Sequence, residues 1–464
     1  MRYLIVLILA FFVFSCNQNS VSDSSVYFGG QIVNPRTNFV LFLKDEQILD
    51  TLILDKSNRF LTKYENLDEG LYTFKHGLEF QYIYLEPADS LLVRLNSWDF
   101  DESIVYSGVG SAKNEFLLNL FLQNEEEEKE IFSYFKLDEN QFQHKIDSLK
   151  NVKETIYENF KINEIEISEG FQHLTNVAIN YPLYRLKEIY PYYYKKAYRL
   201  ASFPVLSEQF YDYRKSIDLN NDHLLFFYPY QNYVVNFLYN QSYVEKEKDS
   251  TKNDITTNVL NAIVKNVSSE EIKNTLLKRI VVNDFLKSKT TCAIDTTKIE
   301  IFLKNCSNQE YIDQVQNLVS DSKYVENNKL LPDFEVVSYN NDSVKNINNI
   351  IKNKKTVIYF WSTEYMSSEY LVSRVQFLQK KYPKVHFIGV QMQPAYIDIK
   401  TDYKLKKLDS SQQFKLLATS YANNFLTSRY PRLIITNSNG LVMNGFTYLD
   451  AKNLEKELNK LQIN

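Results

Sequence analysis

The sequence predicts a multi-domain α+β protein. An N-terminal antiparallel β-sandwich-like domain is followed by an all-α middle and a C-terminal α/β unit with a mixed sheet. Three observations carry this. A chain of 464 residues exceeds one ordinary core. Its hydrophobic period is two from Val26 to about Ser107, then helical from about Ala112 to Ser320. From about Lys329 strand-like and helix-like runs alternate. Charged residues at 24% and apolar residues at 44% mark a globular chain. A net charge of −4 argues against nucleic acid as a partner, which rewards a clustered basic face.

The chain opens with MRYLIVLILAFFVFSC, one Arg before an apolar run from Tyr3 to Phe14. As a helix that run is about 18 Å long, against a hydrocarbon core of about 30 Å, so it reads as a signal peptide. VFSC resembles a bacterial lipobox, which predicts residues 1–16 as a lipoprotein signal with Cys16 lipidated; an ordinary secretory cleavage elsewhere is the alternative. Lipidation would place the protein in a bacterial cell envelope, anchored to membrane through Cys16, on a periplasmic or outer-surface face. Residues 17–25, polar and without periodicity, suit a tether.

Residues 26–110 form the predicted small β-domain. VYFGGQIV, NFVLFLKD, LDTLILD, RFLTKY, GLYTFKH, QYIYLEP and SLLVRLN are short β-rich runs divided by NPRT, DKSN, LDEG and PADS. GVGS, from Gly108, lacks the Lys-Ser/Thr of a phosphate loop. Residues 111–325 form the predicted helical domain. Phe142, Ile146, Leu149, Val152, Ile156 and Phe160 make one apolar stripe, and Ser268-x-x-Glu271 and Ser307-x-x-Glu310 read as capping boxes. The run EEEEKE, Glu125 to Glu130, reads as a solvated helix face rather than a metal site. Tyr181 to Arg199 interleaves aromatic and basic residues, with Tyr184, Tyr190, Tyr194 and Tyr198 packing helices together or, alternatively, stacking on a glycan.

The last segment, 329–464, holds LPDFEVV, KKTVIYFWS, an amphipathic stretch Glu369 to Tyr382, KVHFIGVQMQ, a polar helical region, the hairpin PRLIITNSNGLVMN and the closing helix AKNLEKELNKLQ. LPDF, VIYFWST, VHFIGV and YPRLIITNSNG together resemble the membrane-tethered thioredoxin-like proteins of the TlpA/ResA type. IYLEPADSL and YSGVGSAKNEFL resemble the β-domain often found ahead of them. The resemblance covers roughly the final 30% of the chain and implies a C-terminal thioredoxin fold. In that family the strand ends F-W-A-x-W-C-x-x-C. Aligned on Phe360-Trp361, Tyr365 and Ser368 occupy the two cysteine places, Ser367 replaces the Pro and Glu364 the second Trp. Thiol–disulfide exchange needs a thiolate attacking sulfur with sulfur leaving, which a phenol and a hydroxyl cannot supply. The resemblance also implies that Pro431 is cis and lies against this site, beside a groove for an extended peptide. Trp361, Glu364, Tyr365 and Pro431 are the candidates for lining it.

Cys292 and Cys306 are the remaining thiols, at a spacing wrong for CxxC; a structural disulfide and two buried free thiols both fit. His76, His144, His173, His223 and His386 form no ligand pair and no HExxH, so no metal site is expected; no cofactor is expected either. His386, inside a strand pattern, reads as packed. The sequence thus favours a redox-inactive thioredoxin-fold envelope lipoprotein that binds an envelope protein or extended peptide. Its rivals are an oxidoreductase working through Cys292 and Cys306, and a glycan-associated surface lipoprotein.

Overall fold

The computed structural model describes residues 24–463 apart from 78, 164–165, 249–253, 288–295, 364, 393–398 and 401. Cys16, Cys292 and Glu364 therefore lie outside the described residues.

Among the described residues, the N-terminal strands build two four-stranded sheets: β1 Val26–Val33, β2 Phe39–Lys44, β3 Gln47–Ile53, β4 Arg59–Tyr64, β5 Gly70–His76, β6 Glu79–Leu85, β7 Ser90–Asn96 and β8 Val105–Ser107. The orders are β4-β1-β7-β8 and β3-β2-β5-β6. Alternation puts Leu91, Val93 and Leu95 of β7 inside while Leu92 and Arg94 face out. Phe28 packs between the sheets against Phe42 and Phe60, with ring centroids 5.3 and 5.4 Å apart. One pairing departs from the antiparallel expectation. β1 runs parallel to β7, Tyr27 opposite Ser90. Between those strands the chain crosses to the other sheet and back, which removes the reversal that a hairpin imposes.

The motifs LEPADS and SGVGSAKN clasp each other where β-domain meets helix. Val109 and Ser90 exchange bonds, the Val109 carbonyl accepting from Ser90 N–H at 3.1 Å and Val109 N–H donating to Ser90 Oγ at 3.2 Å. Lys113 reaches Glu86 at 2.5 Å, and Asn114 pairs with the Tyr84 backbone. Gly108 sits at φ 89°, and a Cβ there would meet the Ser90 carbonyl oxygen at 1.9 Å. The glycines of GVGS thus serve a tight junction.

The described helices that follow are α1 Ser111–Tyr134, α2 Glu139–Asn163, α3 Glu169–Tyr198, α4 Tyr228–Lys248, α5 Ile255–Asn266, α6 Glu270–Leu286, α7 Thr296–Asn305 and α8 Gln309–Tyr324. In α2 the expected apolar stripe is interrupted, with Phe142 and Ile146 buried and Leu149 and Phe160 packed against apolar cores on either side of the gap. Val152 and Ile156 are exposed, and Lys153 is buried instead, its ammonium held by Asn124 at 2.8 Å and Glu127 at 2.5 Å. Both predicted capping boxes shift by one residue. Ser269 caps α6, accepting from Ile272 N–H at 3.2 Å, and Asn308 caps α8, accepting from Tyr311 N–H at 3.1 Å. Ser307 Oγ donates to Glu270 at 2.8 Å instead.

The C-terminal sheet has seven described strands: β9 Glu335–Ser338, β10 Val344–Asn346, β11 Thr356–Trp361, β12 His386–Gln391, β13 Gln413–Leu416, β14 Arg432–Thr436 and β15 Val442–Thr447. Their order is β10-β9-β13-β12-β11-β14-β15. β12 is parallel to β11 and β13, and β14 is antiparallel to β11. Helices α9 Ile347–Ile351, α10 Ser368–Lys381 and α11 Leu454–Ile463 accompany it. The strand–helix–strand–hairpin–helix order is thioredoxin-like. The region expected to be helical after β12 instead contains β13 and short 3₁₀ turns. One apolar core runs without a break from Phe171 and Tyr233 of the helices to Tyr359, Leu378 and Leu458 of the C-terminal unit. Phe285 of α6 meets Phe446 of β15 edge-on at 5.5 Å.

Candidate functional site

The site forms where β11 ends and α10 begins. The chain turns at Ser362, whose carbonyl accepts from Tyr365 N–H at 3.2 Å. Ser367 then caps α10, its Oγ accepting from Tyr370 N–H at 3.2 Å. Ser368 is the first helical residue and Tyr365 stands in the turn before it.

Both residues are committed to neighbours. Ser368 Oγ donates to Asp402 Oδ2 at 2.8 Å, in a fully buried pocket. The other Asp402 oxygen accepts the N–H groups of Lys404 and Leu405 at 2.7 and 3.0 Å. The Ser368 hydroxyl thus ties the helix start to the segment leading to β13. Tyr365 lays its ring 4.9 Å from that of Tyr430, the residue before Pro431. Burial first, then the nearby Tyr365 and Tyr311, raise the Tyr430 phenol. The structure therefore brings Tyr365 and Ser368 to one helix start and Tyr365 to the Tyr430–Pro431 segment.

Two other groove candidates, Trp361 and Pro431, are not on the surface. Trp361 is fully buried within the main core, and Pro431 is buried too. Trp361 belongs to the packing because all six residues of β11 point into covered faces of a central strand. The loop before Pro431 is also fastened from outside. Asp321 of α8 accepts from the Thr427 N–H and hydroxyl at 3.1 and 2.7 Å and from those of Ser428 at 2.9 and 2.7 Å. Arg432, likewise enclosed, donates to the carbonyls of Asp321 at 3.1 Å, Phe425 at 2.7 Å and Gly445. Burial pulls its guanidinium down to about 9, against the pull of Asp321. Asp321 and its bonds to this loop escaped the sequence reading because the partners lie 106 to 111 positions apart.

What stays open is a cleft of about 310 Å³ between the β-domain and this turn. Arg36, Lys75, Glu79 and Phe80 line one side; Thr363 and Tyr365 to Glu369, with Lys404, line the other. An alternating charge chain crosses it: Arg36 to Glu79 at 3.4 Å, Glu79 to Lys404 at 3.8 Å, Lys404 to Glu369 at 2.9 Å. The bond to Lys404 holds the Glu369 carboxyl below the usual range. Arg36 also lies 5.2 Å from the Tyr403 ring centroid.

Cys306 does not line this cleft. It follows α7, buried, its thiol donating to the Asn308 carbonyl at 3.7 Å. Burial pushes that thiol up, which lowers its fraction of nucleophilic thiolate. His386 stands in β12 with its imidazole against Gln412, and desolvation pulls it down. Among the described residues no cluster of His, Cys, Asp and Glu suits a metal ion, and no helix is long and apolar enough to cross a membrane. The aromatic stretch of α3 is largely spent in packing: Tyr190 stacks on Phe142 at 4.2 Å and Tyr184 on Tyr213 at 4.4 Å.

No family model and no curated protein matches the chain. Similar solved structures include a Bacteroides vulgatus protein described provisionally as a thiol-disulfide oxidoreductase, at 18% identity, covering 30% of this chain and 97% of that one, with a TM-score of 0.24. The thioredoxin domain of another Bacteroides vulgatus thiol-disulfide oxidoreductase is 16% identical over 29% of this chain and 98% of that one, at 0.22. An exposed lipoprotein thioredoxin of Streptococcus pneumoniae is 17% identical over 28% and 100%, at 0.21. Each of these likenesses covers less than a third of this chain.

Proposed function

We propose that this is a redox-inactive, lipid-anchored envelope protein that binds an extended peptide or partner protein and catalyses no thiol exchange. The observation that carries the reading is the occupation of both cysteine places by oxygen side chains already engaged, Ser368 with Asp402 and Tyr365 with Tyr430. The cleft beside them supports binding at the same end of the sheet, with the β-domain supplying half its wall. Trp361 and Pro431, both enclosed, have no part in that contact, which narrows the peptide surface to Tyr365, Ser367 and the cleft. The tether through Cys16 rests on the lipobox-like VFSC.

Two measurements test this. Insulin reduction with a dithiol donor is expected to proceed no faster with the protein than without it. Turnover above that background would overturn the account, and its loss on replacing both Cys292 and Cys306 would assign it to those thiols. Labelling cells with a radioactive fatty acid is expected to mark the wild-type protein and not Cys16→Ala; a marked variant would remove the anchor.

A further inference from the structure

A second cavity, about 480 Å³, adjoins the cleft and shares Glu79, Phe80 and Ser367 with it. Ligand sites usually span about 300–1,000 Å³. Its walls come from β6 with Tyr82, α1 with Leu117, Leu120 and Phe121, α3 with Pro182, and Phe227 and Tyr228 where α4 begins. The Tyr82 hydroxyl donates to the Phe226 carbonyl at 2.8 Å and accepts from Tyr228 N–H at 3.2 Å. Its ring meets those of Phe80 and Phe227 edge-on at 5.6 and 5.5 Å. Phe80 and Tyr228 are nevertheless 48% and 59% exposed. The apolar wall is therefore rigid and partly wet.

Its polar lining is lopsided. Of the described lining carboxylates, Glu128 is tied to Arg185 and Glu79 to Arg36 and Lys404 of the cleft, while Asp101 and Glu125 have no salt bridge among the described residues. Asp101 accepts from the Gln81 amide at 3.0 Å. Burial first, then the charges of Glu125, Glu79 and Glu102, outweigh that bond and push its carboxyl up to about 6. Pro182 adds an acceptor. Lacking an N–H, it leaves the Ala178 carbonyl, also in the lining, without its helical donor. Acceptors, repelling carboxylates and aromatic faces together suit a cation on an apolar stem.

We infer that the joined cavities hold an extended peptide, with a lysine or arginine side chain seated in the acidic aromatic chamber. The chain then runs past Ser367 into the cleft over Tyr365. Two cavities in series fit a chain better than a compact amine. This rests on the peptide-binding reading above and adds the side chain recognised.

The test pans a random peptide library against the full mature protein, with Asp101→Asn/Glu125→Gln and Glu126→Gln in parallel. The asparagine amide keeps an acceptor for Gln81, Glu125 is exposed, and Glu126 pairs with Lys129 away from the chamber. Both variants should therefore fold, with circular dichroism as the check. The expected result is one position enriched at least tenfold in lysine or arginine over glutamate. That enrichment should disappear in the double variant and persist in Glu126→Gln. Enriched peptides without a basic preference, or a preference unchanged in the double variant, would overturn the inference and leave peptide binding standing. No enriched peptide at all would overturn both. Free n-butylamine binding as tightly as the best peptide would assign the chamber to small amines and overturn the extended-peptide part.

Discussion

Removing the Ser368 hydroxyl tests whether this side chain fastens the start of α10. Asp402 is fully enclosed and holds three donors, one of them Ser368 Oγ at 2.8 Å. Ser368→Ala leaves Oδ2 without that donor, and a hydrogen bond to a charged partner contributes about 1.5–3 kcal/mol. The serine's own transfer and helix propensity change by tenths, so the bond dominates. A chain with several structural units has no single unfolding free energy, so the probe must be local. The protein has two tryptophans. Trp98 is 59% exposed in the β-domain while Trp361 is enclosed at the end of β11, so Trp98→Phe leaves an emission that reports the C-terminal sheet. Urea transitions followed by Trp361 in Ser368→Ala, Asp402→Ala and the double variant complete a cycle. The expected coupling is about 1.5–3 kcal/mol. A coupling under about 0.5 kcal/mol, the size seen between independent sites, would refute the claim that this serine fastens the helix start.

Other outcomes follow from the same structure. Ser368→Cys places a thiol beside that carboxylate, so its alkylation at pH 8 should be slower than that of a free cysteine; equal rates would contradict the buried pairing. His76 is neutral in the fold, Nε2 accepting from Arg36 N–H at 2.9 Å and Nδ1 at 3.0 Å from the Phe39 carbonyl. Burial, with the Arg36 charge adding to it, pushes it from 6.5 to about 4 against the Phe39 bond. The unfolded chain then takes up a proton near 6.5 and the fold only near 4. Stability should fall by up to about 3 kcal/mol as pH drops through that window. His76→Gln should flatten this slope in urea midpoints measured from pH 4 to 7, and an unchanged slope would remove His76 as the cause. Arg432→Met strips donors from three enclosed carbonyls and should cost about 3 kcal/mol or more by Trp361 emission; a smaller loss than that of Ser368→Ala would contradict its anchoring role. Native Cys306 should label slowly and label fully once denatured. If labelling after denaturation requires reductant, it is bonded to Cys292.

Much of the β-domain was legible because a half-buried strand writes its face into every second residue, as in SLLVRLN. β13 was not, since Gln413–Leu416 is short, flanked by 3₁₀ turns and without alternation. The caps slipped by one because Ser268 and Ser269 stand side by side, and only the entry direction of the chain chooses between them. That residues 365 and 368 carry oxygen and no sulfur is plain from the sequence. The partner of Ser368 is not, because Asp402 is brought to it by folding, 34 positions away. The burial of Trp361 and Pro431 was missed for a similar reason. The sequence does not announce that Asp321, from the helices, will cover the loop ahead of that proline. EEEEKE illustrates the limit again: helical geometry sends Glu127 to Lys153, Glu126 to Lys129, and Glu125 and Glu128 to the chamber.

The shared core has a consequence for biogenesis. A ribosome releases the helices with Phe171, Leu260 and Leu277 before it releases β11, β14 and α11, whose side chains finish the same cluster. Until those arrive, a broad oily flank faces water, and nothing local can close it. Holdase chaperones would therefore be needed until α11 is out, and a nascent chain stalled before residue 430 would be prone to clump.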